Sequence, residues 1–217
     1  MKTKRQTFAK PAVLAVTLLG LIGLGLAAIK GNASLPVQLD DNRSLRDKAK
    51  EAGHYSEHRG YRDIAQYTDI AQITRHSEAV VVGTVQSNVV RPSSDEKSLF
   101  INYTVSVEDV IKGSVQGGET ITVNIPGGKI HYADDTTAEV QTPWFKKMLN
   151  GKKYILFLDN SHGGEGYLTT GGAQGVFEIP AEGGGIKTHS GRLHDPVWQY
   201  QGMSAQDFLD LVRQTAS

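Results

Sequence analysis

Between Leu99 and Val107 the apolar residues fall on odd positions: Leu99, Ile101, Tyr103, Val105 and Val107. Asn102, Thr104, Ser106 and Glu108 alternate with them, and Phe100 is the exception. Side chains alternate across a pleated strand, so this period predicts a strand with one buried and one wet face. The phase slips after Val107, where Glu108-Asp109 precede Val110-Ile111. One extra residue does this, and it predicts a β-bulge that bends the strand. Ala79 to Val85 predicts the preceding strand, with Gly83 as a corner or a point of close backbone approach. Glu119 to Ile125 predicts the following one, ended by Pro126-Gly127-Gly128. Three consecutive bent strands suit a small barrel or curled sheet.

The remaining patterns are weaker. Ser44 to Ala52 predicts one short helix capped by Ser44, inside a polar spacer over 34–67 that lacks the apolar density to fold alone. A helix from Thr68 or Asp69 to His76 carries Ile70 and Ile73 on one face, with a single helix from Tyr61 to His76 as the alternative. Residues 127–142 read as a loop, with a short strand near Ala138–Gln141. Pro143 to Leu149 reads as one or two helical turns whose Trp144, Phe145, Met148 and Leu149 cover a barrel end. Lys153 to Leu158 is apolar on both faces and predicts the most buried strand. Segments 166–170 and 174–179 read as a strand pair, and Ile186–His189 as an edge strand. Trp198 and Tyr200 are expected to pack on the barrel. Ser204 caps a last helix over Ala205–Arg213, striped by Phe208, Leu209 and Val212.

Composition changes this picture at two points. There is no cysteine among the 217 residues, so disulfides, thiolate metal sites and a cysteine nucleophile are excluded. Lys2, Lys4, Arg5 and Lys10 form a basic head before an uncharged apolar run from Val13 to Ile29. Residues 1–33 therefore read as a cleaved signal peptide or an uncleaved membrane anchor, the span being 13–29. Either predicts export to the periplasm, cell envelope or exterior, with the basic N-terminus staying in the cytoplasm if the segment is retained. The rest has 18 basic and 23 acidic residues, a net charge of −5. A mildly acidic chain suits no nucleic-acid partner.

Candidate chemistry is sparse. His54 and His58 would share one face of a helix, but Gly53 and Gly60 flank them and no third zinc ligand is marked, so a solvated linker is the reading. His131, Asp134 and Asp135, with His162, are the candidates for metal-assisted hydrolysis; a solvated turn is the competing reading. Asp159, Ser161, Gly163 and Glu165 have a calcium-loop-like spacing with the glycine and glutamate misplaced. His189 and His194 read as surface or hydrogen-bonded residues. No Gly-x-Ser-x-Gly elbow and no phosphate-binding loop occurs. Catalytic, metal and cofactor residues are therefore assigned as none.

Three segments carry a family resemblance. They are Ala79 to Val85 with Gly83, Tyr103 to Lys112-Gly113, and Gly151-Lys152-Lys153-Tyr154-Ile155-Leu156. Together they resemble the netrin-like module, the oligomer-binding-type (OB-like) barrel also found in tissue inhibitors of metalloproteinases, over roughly residues 68–158. Lys112-Gly113 and Gly175-Val176-Phe177 are also similar to segments of uncharacterised exported bacterial proteins. The resemblance implies a mainly β fold: a five- to six-stranded Greek-key barrel over 68–217, with a short N-terminal and a C-terminal helix. The family's disulfides are missing, as is the inhibitors' metal-chelating N-terminal cysteine, so protease inhibition does not carry over. The expectation is an exported, non-enzymatic binding module contacting another envelope protein, a peptide or a glycan through segments 86–98, 126–142 and 159–166. A metal-assisted hydrolase and a structural envelope-assembly protein are the alternatives.

Overall fold

A computed structural model describes residues 42–60, 64–160 and 166–216. The first 33 residues, and with them the targeting segment, lie outside the described residues, as do His162 and most of the calcium-like spacing. In chain order the elements are α1 (Leu45–Ala52), β1 (His54–His58), α2 (Ile70–His76), β2 (Ala79–Pro92), β3 (Leu99–Lys112), β4 (Thr120–Pro126), β5 (Gly128–His131) and β6 (Thr137–Gln141). There follow β7 (Lys153–Asn160), β8 (Tyr167–Thr169), β9 (Val176–Ile179), β10 (Lys187–Thr188) and α3 (Ala205–Ala216). Short 3-10 turns lie at Gly172–Gly175 and Pro196–Tyr200.

The protein is mainly β, with a seven-stranded and a three-stranded sheet. The larger has the order β10-β9-β7-β2-β3-β4-β8. β8 pairs in parallel with β4 and antiparallel with β7. The pairings β7-β2-β3-β4-β8 thus return to β7. Bulges supply the bends. Gly83 opposes Val107 and Val82 opposes Asp109, leaving Glu108 as the extra residue; Ile111 is skipped in the same way between Val110 and Lys112. The slip read from the sequence after Val107 is this first bulge. Gly83 is a close approach as expected: a Cβ there would lie 2.6 Å from Val105 Cγ1 and 2.8 Å from Ser106 O.

Two apolar clusters sit on opposite faces of this sheet. One gathers Val81, Val85, Tyr103, Val105, Val107, Ile121, Val123, Ile125, Tyr154, Leu156 and Leu158. The other joins Val80, Val82, Ile155 and Phe157 to Ile70 and Ile73 of α2 and to Phe208 and Val212 of α3. β2 and β7 are therefore buried on both faces, which is why their sequences run apolar without alternation. The caps fall where expected: Ser44 accepts from Asp47 N at 3.1 Å, Asp69 from Gln72 N at 2.8 Å and Ser204 from Asp207 N at 3.1 Å.

Several expectations need correction. The 34–67 stretch is not wholly a spacer, because α1 and β1 fold onto the rest. Leu45 and Ala49 bury against Leu99, Ala138 and Val140, and β1 pairs in parallel with β6. Its own residues lack a core, but distant ones supply it. Residues 127–142 form the hairpin β5–β6 instead of a loop, the short strand near 138–141 being present as β6. Pro143 to Leu149 is not helical; it turns and bridges Phe145 to Ser190, burying Met148 and leaving Leu149 53% exposed. β8 and β9 do not pair with each other: both pair with β7, over successive stretches of that strand. β10 is the expected edge strand. The last helix runs three residues past its expected end.

Candidate functional site

Residues directly opposed in a ladder share a face of the sheet. Val89 opposes Asn102, Asn102 opposes Asn124, Asn124 is in register with Leu168, and Leu168 opposes Asp159. These five residues form one transverse row over five strands. Its far end, Asn124-Leu168-Asp159, floors a cleft walled by Ile64, Ala65 and Tyr67. This lobe of the cleft has a volume of about 250 Å³. A second lobe of about 170 Å³ adjoins it at Ile64, Pro126, Thr169 and Gly172, and is lined by Ile125, Thr142, Trp144, Phe145 and Arg59. One end of the cleft is thus aromatic and aliphatic; the other holds a carboxylate, an amide and hydroxyls.

Each wall is fixed from below. Gly166, at φ +91°, brings β8 against β4; a Cβ there would lie 2.4 Å from Thr122 O, so only glycine fits. Phe145 and Trp144 are held by a second backbone track. Lys146 N donates to His189 O at 3.0 Å, Gly191 N donates to Trp144 O at 2.6 Å, and His189 Nδ1 bonds Lys146 O at 2.6 Å. The 64–67 wall hangs on Gln174, which accepts from Tyr67 N at 3.0 Å and donates to Tyr67 O at 3.1 Å. Gln174 donates also to Asp195 at 2.8 Å, and Ser190 Oγ donates to the other Asp195 oxygen at 2.6 Å. Gln174, Asp195 and Ser190 are buried and hydrogen-bonded to one another, so the network rigidifies the wall. Arg59 spends its guanidinium on Glu57 (2.7 Å), Ser98 Oγ (2.9 Å) and Lys97 O (2.5 Å).

Electrostatics follow the burial. Burial chiefly, and then the Asp159 carboxylate, raise the Tyr67 hydroxyl above its ordinary value. Burial lowers His189 below its ordinary value, against the opposing pull of Lys146 O and Glu178. Within the sheet core, burial pushes Tyr103 up to about 12. These two residues are structural. His189 has its Nε2 3.8 Å from Glu178 and Tyr154 packed edge-on at 5.1 Å.

The residues singled out in the sequence do not converge. His131 Nδ1 meets Thr137 Oγ1 at 3.2 Å, Asp134 accepts from Thr136 Oγ1 at 2.6 Å, and Asp135 occupies a turn at φ +63°. No group of three or more metal-binding side chains occurs among the described residues. His54 and His58 lie on an exposed strand face instead of a helix. Segments 86–98 and 126–142 are not free loops: the first is the end of β2, paired with β3, and the turn after it, where Leu45 N donates to Glu96 O at 2.8 Å, and the second holds the β5–β6 hairpin. Ser190, His189 and Asp195 make a triad only by inventory, since His189 bonds Lys146 O while Ser190 bonds Asp195 directly. Of the single-residue candidates among the described residues only Asp159 reaches the cleft, in a role the calcium-like spacing did not suggest, and Pro126 and Thr142, from the expected contact segment 126–142, line it as well. Trp144 and Phe145 were legible as aromatic cover, not as cleft walls.

A scan of protein-family models finds no match to the chain, and a search of curated proteins finds no relative. Among the described residues, no helix is long and apolar enough to cross a membrane.

Proposed function

We propose that this chain is an exported, non-enzymatic binding module built on an OB-like barrel. The barrel reading is supported by the return of β8 to β7 and by the parallel β4–β8 pairing, features of a five-stranded partly open Greek-key barrel. The netrin-like resemblance points the same way. The observation that carries the binding reading is the cleft: an apolar recess with a few polar groups at one end, the usual composition of a ligand site. Arg59 in its lining is committed to Glu57, Ser98 and Lys97, and His189 and Asp195 behind its walls are committed to holding them, while Asp159 stands at its polar end; the cleft is suited to hold a ligand. Export rests on the basic head and apolar run at the N-terminus, and the partner is a peptide, a glycan or another envelope protein.

The test is partner capture from envelope extract at native expression, with the native chain against Trp144→Ala. Recovery of one partner that the variant loses supports the module. Equal recovery by both chains places binding elsewhere, and turnover of envelope peptides or glycans by the purified chain overturns the non-enzymatic reading.

A further inference from the structure

The polar end of the cleft is not neutral. Asp159 lies on the strand face that floors it and, among the described residues, takes one hydrogen bond, from its own neighbour Asn160 N at 2.9 Å. It has no ion pair among the described residues. Among the described residues the one cation lining the cleft, Arg59, is at the other lobe and is paired with Glu57 at 2.7 Å. Among the described residues, the charge left uncompensated in the lining is therefore the Asp159 carboxylate. Tyr67 on the opposite wall has its hydroxyl raised above its ordinary value, by burial first and by the Asp159 carboxylate second. The rest of the lining, Ile125, Pro126, Trp144 and Phe145, offers apolar and aromatic surface.

We infer that the cleft takes an organic ammonium carried on an aromatic or branched aliphatic body, the body against Trp144, Phe145 and Ile125 and the ammonium at Asp159. This rests on the binding-module reading and names its ligand class. An ammonium brings three donors and no acceptor, and it meets here the Asp159 carboxylate, with Tyr67 and Thr169 in the same lining. An anion would face Asp159 with no free cation among the described lining residues to receive it. A neutral body would fill the apolar lobe and leave the carboxylate uncompensated. A free amine and the basic side chain beside an apolar residue in a peptide present the same chemistry.

The test is a nuclear magnetic resonance titration of the full chain with 2-phenylethylammonium, 2-phenylethanol, phenylacetate and the blocked dipeptide acetyl-Phe-Lys-amide. The expected result is binding of the two ammonium probes, with shifts at the Trp144 indole and the Leu168 amide and no binding of phenylacetate. Asp159→Asn should weaken the ammonium probes about ten- to hundredfold, the range for hydrogen bonds to charged groups, and leave 2-phenylethanol unchanged. Tighter binding of the dipeptide assigns a polypeptide source; tighter binding of the free amine assigns a small molecule. Equal binding of 2-phenylethanol and 2-phenylethylammonium overturns the ammonium assignment while the cleft stands as a site. No cleft shift with any probe overturns both. If Asp159→Asn does not fold, the comparison of probes on the native chain decides alone.

Discussion

The two sheets are stabilised on different scales. The seven-stranded sheet has an apolar cluster on each face, with Tyr103, Tyr154, Phe157, Phe177 and Phe208 fully buried. The three-stranded sheet rests on five buried residues, Leu45, Ala49, Leu99, Ala138 and Val140, one of them borrowed from β3. Buried apolar area sets most of the favourable free energy, so the small sheet depends on the large one and not the reverse. The comparison also locates the candidate site. Most of the cleft floor, Asn124, Ile125, Leu168 and Asp159, belongs to the large sheet, while of the segments expected to make contacts 126–142 mostly forms the small one through β5 and β6. A stable sheet can hold a preformed recess; a marginal one is suited to open locally.

The largest effect should come from Phe157→Ala, which empties the packing between β7, Phe177 and the helices. A loss of about 3–5 kcal/mol is expected in denaturant unfolding, spread over every spectroscopic probe. Leu45→Ala should cost about 2–3 kcal/mol, read as loss of hydrogen-exchange protection in β1 and β6 while β3 and β7 keep theirs. Equal loss everywhere in that variant would merge the two regions into one cooperative unit. Gln174→Ala removes both hydrogen bonds to Tyr67 and one to Asp195. It should cost about 1–3 kcal/mol for the buried groups left unpaired, and limited proteolysis should then cut near 64–67. Ser44→Ala should cost only about 1 kcal/mol, the usual value of an N-cap, and should raise exchange in α1 alone.

The smallest effect concerns pH. Burial holds His189 below its ordinary value of 6.5, so the folded chain keeps it neutral where the unfolded chain takes a proton. Stability from this group is complete above 6.5 and declines as pH falls from there toward the depressed value. The groups facing it are Glu178, Lys146 and Tyr154, and a Glu178 ion pair limits the loss once His189 is protonated. His189→Asn, whose amide keeps a donor toward Lys146 O, should flatten the pH dependence of the melting temperature in that window.

How much of this was legible depends on whether a residue's partners are local. The period-two run from Leu99, the slip at Glu108 and the three caps are written within a few residues, and each was read. Gly83 was legible because a glycine inside an apolar strand has few other reasons to be there. β1 and β5 were not, since His54–His58 and Gly128–His131 are polar strands that acquire meaning only beside β6. β8 is three residues long and exists because β4 and β7 flank it. The cleft was hidden for the same reason. Asp159, Asn124 and Trp144 are far apart in sequence, and the Gln174-Asp195-Ser190 network that fixes its wall has no local pattern. The double-sided burial of β7 was readable from its unbroken apolar run, but the identity of its outer cover, α2 and α3, was not.

The most direct test of this account is native-state hydrogen exchange resolved by residue. The amides of β2, β3, β4, β7 and β8 should exchange only through global unfolding, and those of β1 and β6 through an opening of lower free energy. Protection in β8 as weak as in β1, or one uniform free energy across both sheets, would contradict it.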